Sequence, residues 1–405
     1  MNVLFLTPRL PYPPRMGNAL RNHGLIVGLA ARHRVSVLSL LDPGQPDPAT
    51  TPLAELCEQV VGVPTPTRTR AQRLRDLLAG QADMARRLWS ENYADALREL
   101  VAHHHYDVVH VGGLEMTPYL AIMRQSRFSG LAVFDDHNAE AALQQRIFEV
   151  DLRTPSRWHA ALYSLIQWRR LIAFESAACR QADHVLAVSG ADAQLLRALK
   201  HDTPVTVIPN AIEVAAYRLD GAAPTPGVTL PRPTLVFTGK MDYRPNVDAA
   251  LWFVGEVLPR VRRQIPEAHF AIVGQKPHAR LEPLRSQPGI TITGWVEDIK
   301  PYVAAADVLV VPMRMGSGTR FKILEAMAMQ RAIVSTTLGA EGLDVQSGRH
   351  LLIADEPASF AEAVVALLRD DARRASLGQA AHTFVAEGYD WGTIIPRLEA
   401  IYEQA

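Results

Sequence analysis

Residues 308–336 read VLVVPMRMGSGTRFKILEAMAMQRAIVST, and they contain a strand, a glycine-rich turn, a helix and a second strand in immediate succession. The apolar runs at 308–312 and 332–336 are continuous rather than alternating, which is typical of strands buried on both faces of a parallel sheet. A helix that connects two such strands makes a βαβ unit. The stretch therefore predicts an α/β protein with parallel sheets.

The same alternation of short buried strands and helical segments recurs along the chain of 405 residues. The predicted strands are 3–7, 35–40, 107–111, 131–135, 184–189 and 205–210 in the first half, and 234–239, 269–274, 290–295, 308–312, 332–336 and 351–355 in the second. A segment rich in proline and glycine, 219–233, interrupts this pattern and is typical of a linker.

We therefore expect two doubly wound, Rossmann-like domains, residues 1–215 and 234–389, with a linker at 216–233. Ligands of open α/β sheets bind at the carboxyl ends of the strands, so a cleft between the two domains is the expected binding site. The final helical segment, 390–405, can pack back on the first domain, pack on the second, or bridge both.

The composition excludes several classes of protein. The 42 basic residues balance 42 acidic ones, so no global charge attracts nucleic acid or an anionic membrane. Cys57 and Cys179 fit neither a disulfide framework nor a metal cluster, which suits a reducing compartment. No apolar stretch approaches the roughly 18 residues that a spanning helix needs, and the N-terminal segment lacks the features of a signal peptide. We expect a cytoplasmic protein.

Three cations, Arg314, Arg320 and Lys322, gather at the glycine-rich turn, where a helix is predicted to begin at about Thr319. Cations are unfavourable in the first turn of a helix unless an anion is bound there. Free backbone N–H groups and these side chains together predict a site for a phosphate or diphosphate. Glu325 follows Lys322 on the same helix face, where its carboxylate suits the hydroxyls of a ribose. The alternative is a surface ion pair between Lys322 and Glu325 beside a plain loop.

The run 302–343, YVAAADVLVVPMRMGSGTRFKILEAMAMQRAIVSTTLGAEGL, closely resembles the donor-binding segment of retaining GT-B-type glycosyltransferases of family 4, especially the subgroup that makes bacterial exopolysaccharide. Shorter segments resemble other parts of the family: PYPPRMGNALRNHGL (11–25), VIPNAIE (207–213), FTGKMDYRPNVDAALWF (237–253) and AIVGQKP (271–277). The resemblance implies a GT-B fold and transfer of a sugar from a UDP- or GDP-sugar to a glycan or lipid-linked acceptor, in polysaccharide biosynthesis. It implies no cofactor and no bound metal.

The resemblance also implies a set of donor-binding residues. Those expected at the nucleotide and diphosphate are Gly17, Gly239, Lys240, Gly316, Ser317, Gly318, Thr319, Arg320, Lys322 and Glu325. Asn210 is a supporting residue, although Pro-Asn-Ala replaces the commoner Pro-Asn-Gly there. Many relatives carry two glutamates spaced Glu-x7-Glu, and Ser317 stands at the position of the first. The identity of the sugar therefore stays open.

The stretch AVFDDHNAEAAL (132–143) follows a predicted strand of the first domain and contains the candidate catalytic residue, His137. The family has a catalytic histidine in a comparable loop, and a histidine there can bind the donor sugar or help to transfer a proton. Asp135, Asp136 and Glu140 are candidates to orient it. The alternative is a loop histidine that caps the following helix. His110, inside a strand, is predicted to be a core residue.

Other functions remain open at this stage. A nucleotide-sugar epimerase has the same architecture, and the missing first glutamate is also compatible with a non-catalytic nucleotide-sugar-binding subunit. The arginine-rich residues 67–88 are either a solvated helix face or a peripheral contact with the inner face of the membrane.

Overall fold

The structure is a computed structural model, and it describes residues 1–14, 17–126, 128–152, 158–217, 228–316 and 321–404. The chain divides into two compact units. Unit 1 contains Met1–Asn210 together with Ile394–Ala405, and unit 2 contains Ala211–Thr393. Most of the predicted linker at 216–233 lies outside the described residues.

Unit 1 is built on a parallel sheet, which has seven strands within the described ranges, in the order β3-β2-β1-β4-β5-β6-β7. The central strands β1, β4 and β5 are buried along nearly their whole length, which explains their continuous apolar sequences. The order reverses between β1 and β4, where Val3 pairs with both Val35 and Val108. The strands are β1 (Asn2–Thr7), β2 (Arg34–Leu41), β3 (Gln59–Pro64), β4 (Val108–Gly112), β5 (Leu131–Asp136), β6 (His184–Ala187) and β7 (Val205–Val207).

Helices connect these strands. They are α1 (Gly17–Ala30), α2 (Leu53–Leu56), α3 (Arg70–Leu78), α4 (Asp83–Arg87), α5 (Glu91–His103), α6 (Pro118–Gln125), α7 (Glu140–Leu152), α8 (Trp158–Gln181) and α9 (Gly190–Arg197). Serine hydroxyls cap α5 and α9: the hydroxyl of Ser90 accepts from the N–H of Tyr93, and that of Ser189 accepts from the N–H of Asp192.

Unit 2 repeats the design with a six-stranded parallel sheet in its described part, in the order β10-β9-β8-β11-β12-β13. Its strand order reverses between β8 and β11. The strands are β8 (Thr234–Thr238), β9 (His269–Val273), β10 (Ile290–Ile292), β11 (Val308–Val311), β12 (Ile333–Ser335) and β13 (Leu352–Ile353). One hydrophobic core surrounds this sheet. The prediction of two parallel-sheet, Rossmann-like domains is therefore confirmed.

The helices of unit 2 are α10 (Arg244–Trp252), α11 (Leu258–Arg262), α12 (Lys300–Ala305), α13 (Phe321–Ala328), α14 (Pro357–Arg369) and α15 (Asp371–Gly388), and a π-helical turn, Phe253–Val257, joins α10 to α11. The last helix, α16 (Trp391–Tyr402), begins in unit 2 and belongs to unit 1 from Ile394 onward. Within unit 1, Glu399 of α16 lies 3.0 Å from both Arg32 and His33.

Each of the twelve strands predicted from the sequence has a counterpart, and the structure adds one strand, β3. This strand is only half-buried, lies at the edge of its sheet and contains a glycine and a proline, so its sequence gives a weak strand signal. No helix in the described ranges is both long and apolar enough to cross a bilayer.

Candidate active site

The carboxyl ends of β8 and β9 approach each other closely in unit 2. Gly239 and Gly274 follow these two strands directly, with φ angles of +154° and +149°. The N–H of Gly239 donates to the carbonyl of Val273 at 3.0 Å, and a Cβ on Gly274 would lie only 1.7 Å from the carbonyl oxygen of Gly239. Glycine at Gly274 is therefore required by the close contact as well as by the backbone angle.

Lys322, in the first turn of α13, reaches the same strand ends. Its Nζ donates to the Oδ1 of Asn246 at 3.1 Å and lies 4.3 Å from the centre of the Phe237 ring. The Nδ2 of Asn246 donates to the carbonyl of Lys240 at 3.0 Å. A Cβ on Gly239 would lie 3.1 Å from the Lys322 Nζ. The ammonium group and the glycine backbone thus occupy one site, which suits an anionic ligand.

Glu325 lies one turn further along α13 and is half-buried. The hydroxyl of Tyr217 donates to its Oε1 at 3.2 Å. Burial raises the pKa of Glu325, while the Tyr217 hydrogen bond and the Lys322 charge oppose this shift. Burial and the neighbouring carboxylate raise the pKa of Tyr217, which therefore stays a hydrogen-bond donor at neutral pH. The glutamate is held as an oriented acceptor beside a cation.

Other predicted donor residues have different placements. Gly316 has a φ of +105°, which favours glycine, and the side chain of Lys240 lies 3.5 Å from the carboxylate of Asp242. Arg314 donates twice to Asp248 of α10, at 2.8 and 3.1 Å, so this cation is neutralised within unit 2. Ser317, Gly318, Thr319 and Arg320 lie outside the described residues.

In unit 1, Asp135 at the end of β5 is the centre of a buried polar network. The Nε and Nη2 of Arg21 donate to its two carboxylate oxygens at 2.7 Å each, and the Nε2 of His110 lies 3.2 Å from Oδ2. Burial alone would raise the pKa of Asp135, but the charge of Arg21 and the two neighbouring imidazoles outweigh it and hold this pKa well below its usual range. Asp135 is therefore an anion at neutral pH.

His137, the candidate catalytic residue, lies next to this carboxylate. Its Nε2 is 3.5 Å from the Oδ2 of Asp135, which is longer than a normal hydrogen bond, and this buried nitrogen has no hydrogen-bond partner among the described residues. Its Nδ1 lies over Gly113, which has a φ of +90°, and a Cβ there would be 3.6 Å from this nitrogen. The absence of a side chain at Gly113 leaves room beside Nδ1. Of the three candidates to orient His137, Asp135 is thus the one whose carboxylate lies beside it.

Asp136 and Glu140 belong to a separate acidic cluster. The carboxyl oxygens of Asp136 are buried without a hydrogen-bond partner among the described residues. Burial, followed by the charges of Glu175 and Glu140, raises its pKa well above the usual range. Burial also raises the pKa of Glu140 to about 7 and that of Glu175 to about 8. Glu175 accepts from the N–H groups of Glu140 and Ala141, so it caps α7 and holds the end of the His137 loop.

The remaining predicted residues of unit 1 lie near the Asp135 network or at the start of α1. Asn210 accepts from the Nη1 of Arg21 at 3.3 Å, which links it to Asp135. Gly17 begins α1 and is exposed. His110 is fully buried and stacks on Phe5 at 4.5 Å between ring centres, as expected for a core histidine. No group of three or more metal-ligating side chains is assembled within the described ranges.

Four residues of these sites, Arg21, Tyr217, Asn246 and Gly113, were not anticipated from the sequence. Tyr217 and Asn246 are separated from their partners on α13 by 108 and 76 residues, so no local pattern connects them. Arg21 is fully buried, and an arginine in a helix is ordinarily assigned to the surface. A pair of residues that change together in related sequences would be the signal that finds such contacts.

Two parallel-sheet units, with the strand order reversing beside a cation–carboxylate site in unit 2, define a protein of the GT-B class. Two family models match the chain: "Glycosyltransferase Family 4" over residues 21–216 and "Glycosyl transferases group 1" over residues 232–370. The chain belongs to the GT-B glycosyltransferases of family 4.

Solved structures with the same fold cover the whole chain. Sucrose-phosphate synthase from Thermosynechococcus elongatus superimposes with a TM-score of 0.72 at 19% identity, over 100% of this chain and 99% of that one. HepE from Anabaena, in complex with UDP and glucose, superimposes with a TM-score of 0.69 at 16% identity, over 100% of both chains. At these identities the similarity establishes the fold.

Curated relatives are more similar in sequence but match over shorter stretches. A phosphatidyl-myo-inositol mannosyltransferase from Mycobacterium leprae is 31% identical over 206 residues, which are 48% of this chain and 52% of the relative. A GDP-mannose-dependent alpha-(1-6)-phosphatidylinositol monomannoside mannosyltransferase from Mycobacterium tuberculosis is 29% identical over 184 residues, 41% of this chain and 46% of the relative. An uncharacterized 44.6 kDa protein in the cps region of Klebsiella pneumoniae is 24% identical over 164 residues, 38% of this chain and 42% of the relative. The matches therefore span about half the length of these relatives, or less.

Proposed function

We propose that this protein transfers a hexose from a nucleotide diphosphate sugar to a glycan or lipid-linked acceptor, with retention of configuration. The observation that carries the proposal is the placement of Lys322 and Glu325 one turn apart on α13, with Lys322 beside the glycine backbone at Gly239. A cation suits a diphosphate, and a fixed carboxylate one turn away suits the hydroxyls of a ribose. A nucleotide diphosphate contains both groups.

The names of relatives support this class of donor. HepE has been solved with UDP and with UDP-glucose, and the Mycobacterium tuberculosis relative is named GDP-mannose-dependent. We propose that Gly239 and the turn at Gly316 allow the diphosphate to approach the backbone and that Lys322 binds it. Arg320 and the turn residues Ser317 to Thr319 are proposed to contribute to the same binding.

The proposed reaction breaks the bond between the anomeric carbon and the leaving phosphate oxygen. The acceptor hydroxyl attacks from the face that the nucleotide leaves, and its proton passes to that phosphate oxygen. Lys322 stabilises the negative charge that develops on the diphosphate, so the residues supply electrostatic stabilisation without a metal. His137 is proposed to bind a hydroxyl of the sugar through Nδ1 while Asp135 holds its opposite nitrogen.

The function is tested by incubating the purified protein with GDP-mannose, UDP-glucose and UDP-N-acetylglucosamine and analysing nucleotide and sugar products. We expect release of a nucleoside diphosphate from one donor, with an acceptor-linked or hydrolysed sugar that has kept its anomeric configuration. Conversion to an epimeric sugar would identify an epimerase. Tight binding of a donor without any turnover, in the presence of a polyprenyl-phosphate glycan acceptor, would identify a non-catalytic subunit. Either result would overturn the proposal.

We also propose that the acceptor is met at an anionic lipid surface, on the inner face of the membrane. On α3, Arg70 and Arg73 are exposed, and Leu78 at its end is 79% exposed. On α8, Trp158 and Leu162 are each 61% exposed at a spacing of one helical turn. Exposed apolar side chains beside arginines fit a bilayer interface with anionic headgroups.

These two helices form one surface. The Nη1 of Arg170 on α8 donates to the carbonyl of Gln81 between α3 and α4, and Gln167 accepts from the N–H of Asp83. The charges of Arg68 and Arg73 act on the hydroxyl of Tyr163, which is also exposed on α8. The exposed Arg70 and Arg73 of α3 and the exposed Trp158 and Leu162 of α8 can therefore contact the same bilayer.

Vesicle flotation tests this contact with phosphatidylglycerol and phosphatidylcholine vesicles. Binding should require the anionic lipid, weaken as salt rises, and fall in the double variant Trp158→Ser and Leu162→Ser. Leu56→Ser with Leu195→Ser, at exposed leucines elsewhere in unit 1, is the matched control. Equal loss in both pairs, or binding that is absent or insensitive to salt, would contradict the membrane contact.

A further inference from the structure

Tyr402 connects the last turn of α16 to the Asp135 network. Its side chain is fully buried, and its hydroxyl oxygen lies 2.6 Å from the Nδ1 of His110. The other ring nitrogen of His110, Nε2, lies 3.2 Å from the Oδ2 of Asp135. His110 stacks on Phe5, which fixes the plane of its ring. A chain of contacts thus leads from Tyr402 through His110 to the carboxylate beside His137.

The charges fix where the protons lie in this chain. Asp135 is ionised by the two-pronged contact with Arg21 and can only accept. Burial lowers the pKa of His110, and the carboxylate of Asp135 only partly opposes this, so the ring is neutral and has a single N–H. That N–H must be on Nε2, which faces the carboxylate. The Nδ1 of His110 is then an acceptor, and the hydroxyl of Tyr402 donates to it.

The Oδ2 of Asp135 accepts hydrogen bonds from the Nε of Arg21 at 2.7 Å and from the Nε2 of His110 at 3.2 Å. It also faces the Nε2 of His137 at 3.5 Å, and this buried nitrogen has no hydrogen-bond partner among the described residues. The position of this oxygen decides which nitrogen of His137 carries a proton. A carboxylate opposite Nε2 favours the Nε2–H tautomer, which leaves Nδ1 as an acceptor above Gly113.

We propose that Tyr402 and His110 are positioning residues for the reaction: they hold Asp135 so that His137 keeps its proton on Nε2 and presents Nδ1 to the sugar. The inference rests on the proposed function of His137 and adds two residues to it, one of them in the C-terminal helix. Without the Tyr402 hydroxyl, the Nδ1 of His110 is buried and unpaired. The ring is then held less firmly and can turn, and a turned ring no longer donates to the Oδ2 of Asp135.

Tyr402→Phe tests the inference in the full-length protein, and Tyr93→Phe is the matched control. The hydroxyl of Tyr93 is also fully buried and donates to the carbonyl of Leu38 at 2.7 Å, but it has no contact with Asp135. Both variants should lose comparable stability in urea. Only Tyr402→Phe should lower kcat, by about tenfold, while the KM for the donor stays unchanged.

The tautomer of His137 is read by NMR on protein labelled with ¹⁵N-histidine, with His137→Asn used to assign its signals. We expect the Nε2–H form in the unmodified protein and in Tyr93→Phe, and a mixed population in Tyr402→Phe. His110→Gln combined with Tyr402→Phe should restore kcat. The glutamine amide N–H takes the place of the Nε2–H that faces Asp135, and glutamine has no ring nitrogen at the Nδ1 position that needs a donor. A structural role alone would not produce this rescue.

Equal kcat and an unchanged His137 tautomer in Tyr402→Phe and Tyr93→Phe would overturn the inference. If Tyr402→Phe fails to fold, His110→Gln alone should keep both the kcat and the tautomer, whereas His110→Asn should lose both because its amide cannot reach the Nε2 position. Full transfer activity in His137→Ala would instead reject the proposed role of His137. The tautomer measurement still reports on the network in that case, so the two failures are distinguishable.

Discussion

At the residue scale, the positive charge of Lys322 and the negative charge of Glu325 on α13 are the main indication of the proposed ligand. Lys322 and Glu325 are three positions apart, and the helical spacing correctly predicts that they share a face. Their partners are not predictable in this way, because Asn246 and Tyr217 come from distant segments. The choice between Asp135 and Asp136 is equally hidden in the sequence. Adjacent strand residues point to opposite faces, and only the packed sheet shows which face meets His137.

The roles of Lys322 and Glu325 can be separated by comparing the binding of two ligands, a nucleoside diphosphate and pyrophosphate. Lys322→Ala should weaken binding of GDP or UDP and also of inorganic pyrophosphate, by about 1.5–3 kcal/mol for a charged hydrogen bond. Glu325→Gln should weaken only the nucleotide, because pyrophosphate has no ribose. Isothermal titration calorimetry measures both series.

Arg260→Ala is the control for loss of a positive charge. This half-buried arginine lies on α11, and Arg262 on the same helix donates to the carbonyls of Ala268 and Gly289, which precede β9 and β10. Arg260 therefore lies near the amino ends of the strands, whereas Lys322 lies near their carboxyl ends. Arg260→Ala should bind both ligands normally. If Glu325→Gln weakens the affinity for pyrophosphate as strongly as the affinity for the nucleotide, the assignment of Glu325 to the ribose is contradicted.

At the element scale, the buried strands were the easiest part of the fold to predict, since burial on both faces makes them continuously apolar. The half-buried edge strand β3 was missed because Gly62 and Pro64 weaken its strand signal. The close approach of the ends of β8 and β9 was also hidden. This close approach depends on Gly239 and Gly274, which are far apart in sequence.

Gly274→Ala should destabilise unit 2 by about 2–4 kcal/mol, because the new Cβ would collide with the carbonyl of Gly239 at an unfavourable φ. Gly255→Ala is the control: no atom lies within 4 Å of its Cβ position, and it lies in a helical segment. It should gain about 0.5–1 kcal/mol. Urea unfolding gives both values, and a neutral Gly274→Ala would show that the strand ends are further apart.

The cap of α7 by Glu175 predicts a pH dependence of stability. Burial raises the pKa of Glu175 from 4.5 to about 8, so the folded protein keeps a proton that the unfolded chain loses. The free energy of unfolding should therefore fall as the pH rises from about 5 to 8, on the order of a few kcal/mol. Glu140, with a pKa of about 7, adds to the fall.

Glu175→Gln should flatten this part of the pH profile, measured as urea unfolding at pH 5.5, 6.5, 7.5 and 8.5. The exposed Glu99 provides the control, and Glu99→Gln should leave the profile as it is. A profile that rises between pH 6 and 8, or one that Glu175→Gln does not change, would show that the cluster is ionised throughout.

At the scale of the whole molecule, the described sheets of the two units share one strand order around the reversal. The site of unit 2 lies where that order reverses, between β8 and β11, and the Asp135 network of unit 1 lies on β4 and β5, next to its reversal. Unit 2 has the proposed site for a nucleotide diphosphate, and unit 1 has His137 beside the buried Asp135 network. The repeated βαβ pattern made the division into two domains predictable. The sequence does not predict that most of α16 belongs to unit 1, because an amphipathic helix can pack on several surfaces.

We propose that unit 2 binds the donor nucleotide and that His137 of unit 1 serves the transfer. The most direct test measures nucleoside diphosphate affinity by calorimetry and sugar transfer by product analysis in the same two variants. His137→Ala should bind the nucleotide like the unmodified protein and lose transfer by at least about a hundredfold. Lys322→Ala should lose nucleotide affinity. Normal nucleotide affinity in Lys322→Ala would contradict the proposed donor site, and normal transfer in His137→Ala would contradict the proposed role of His137.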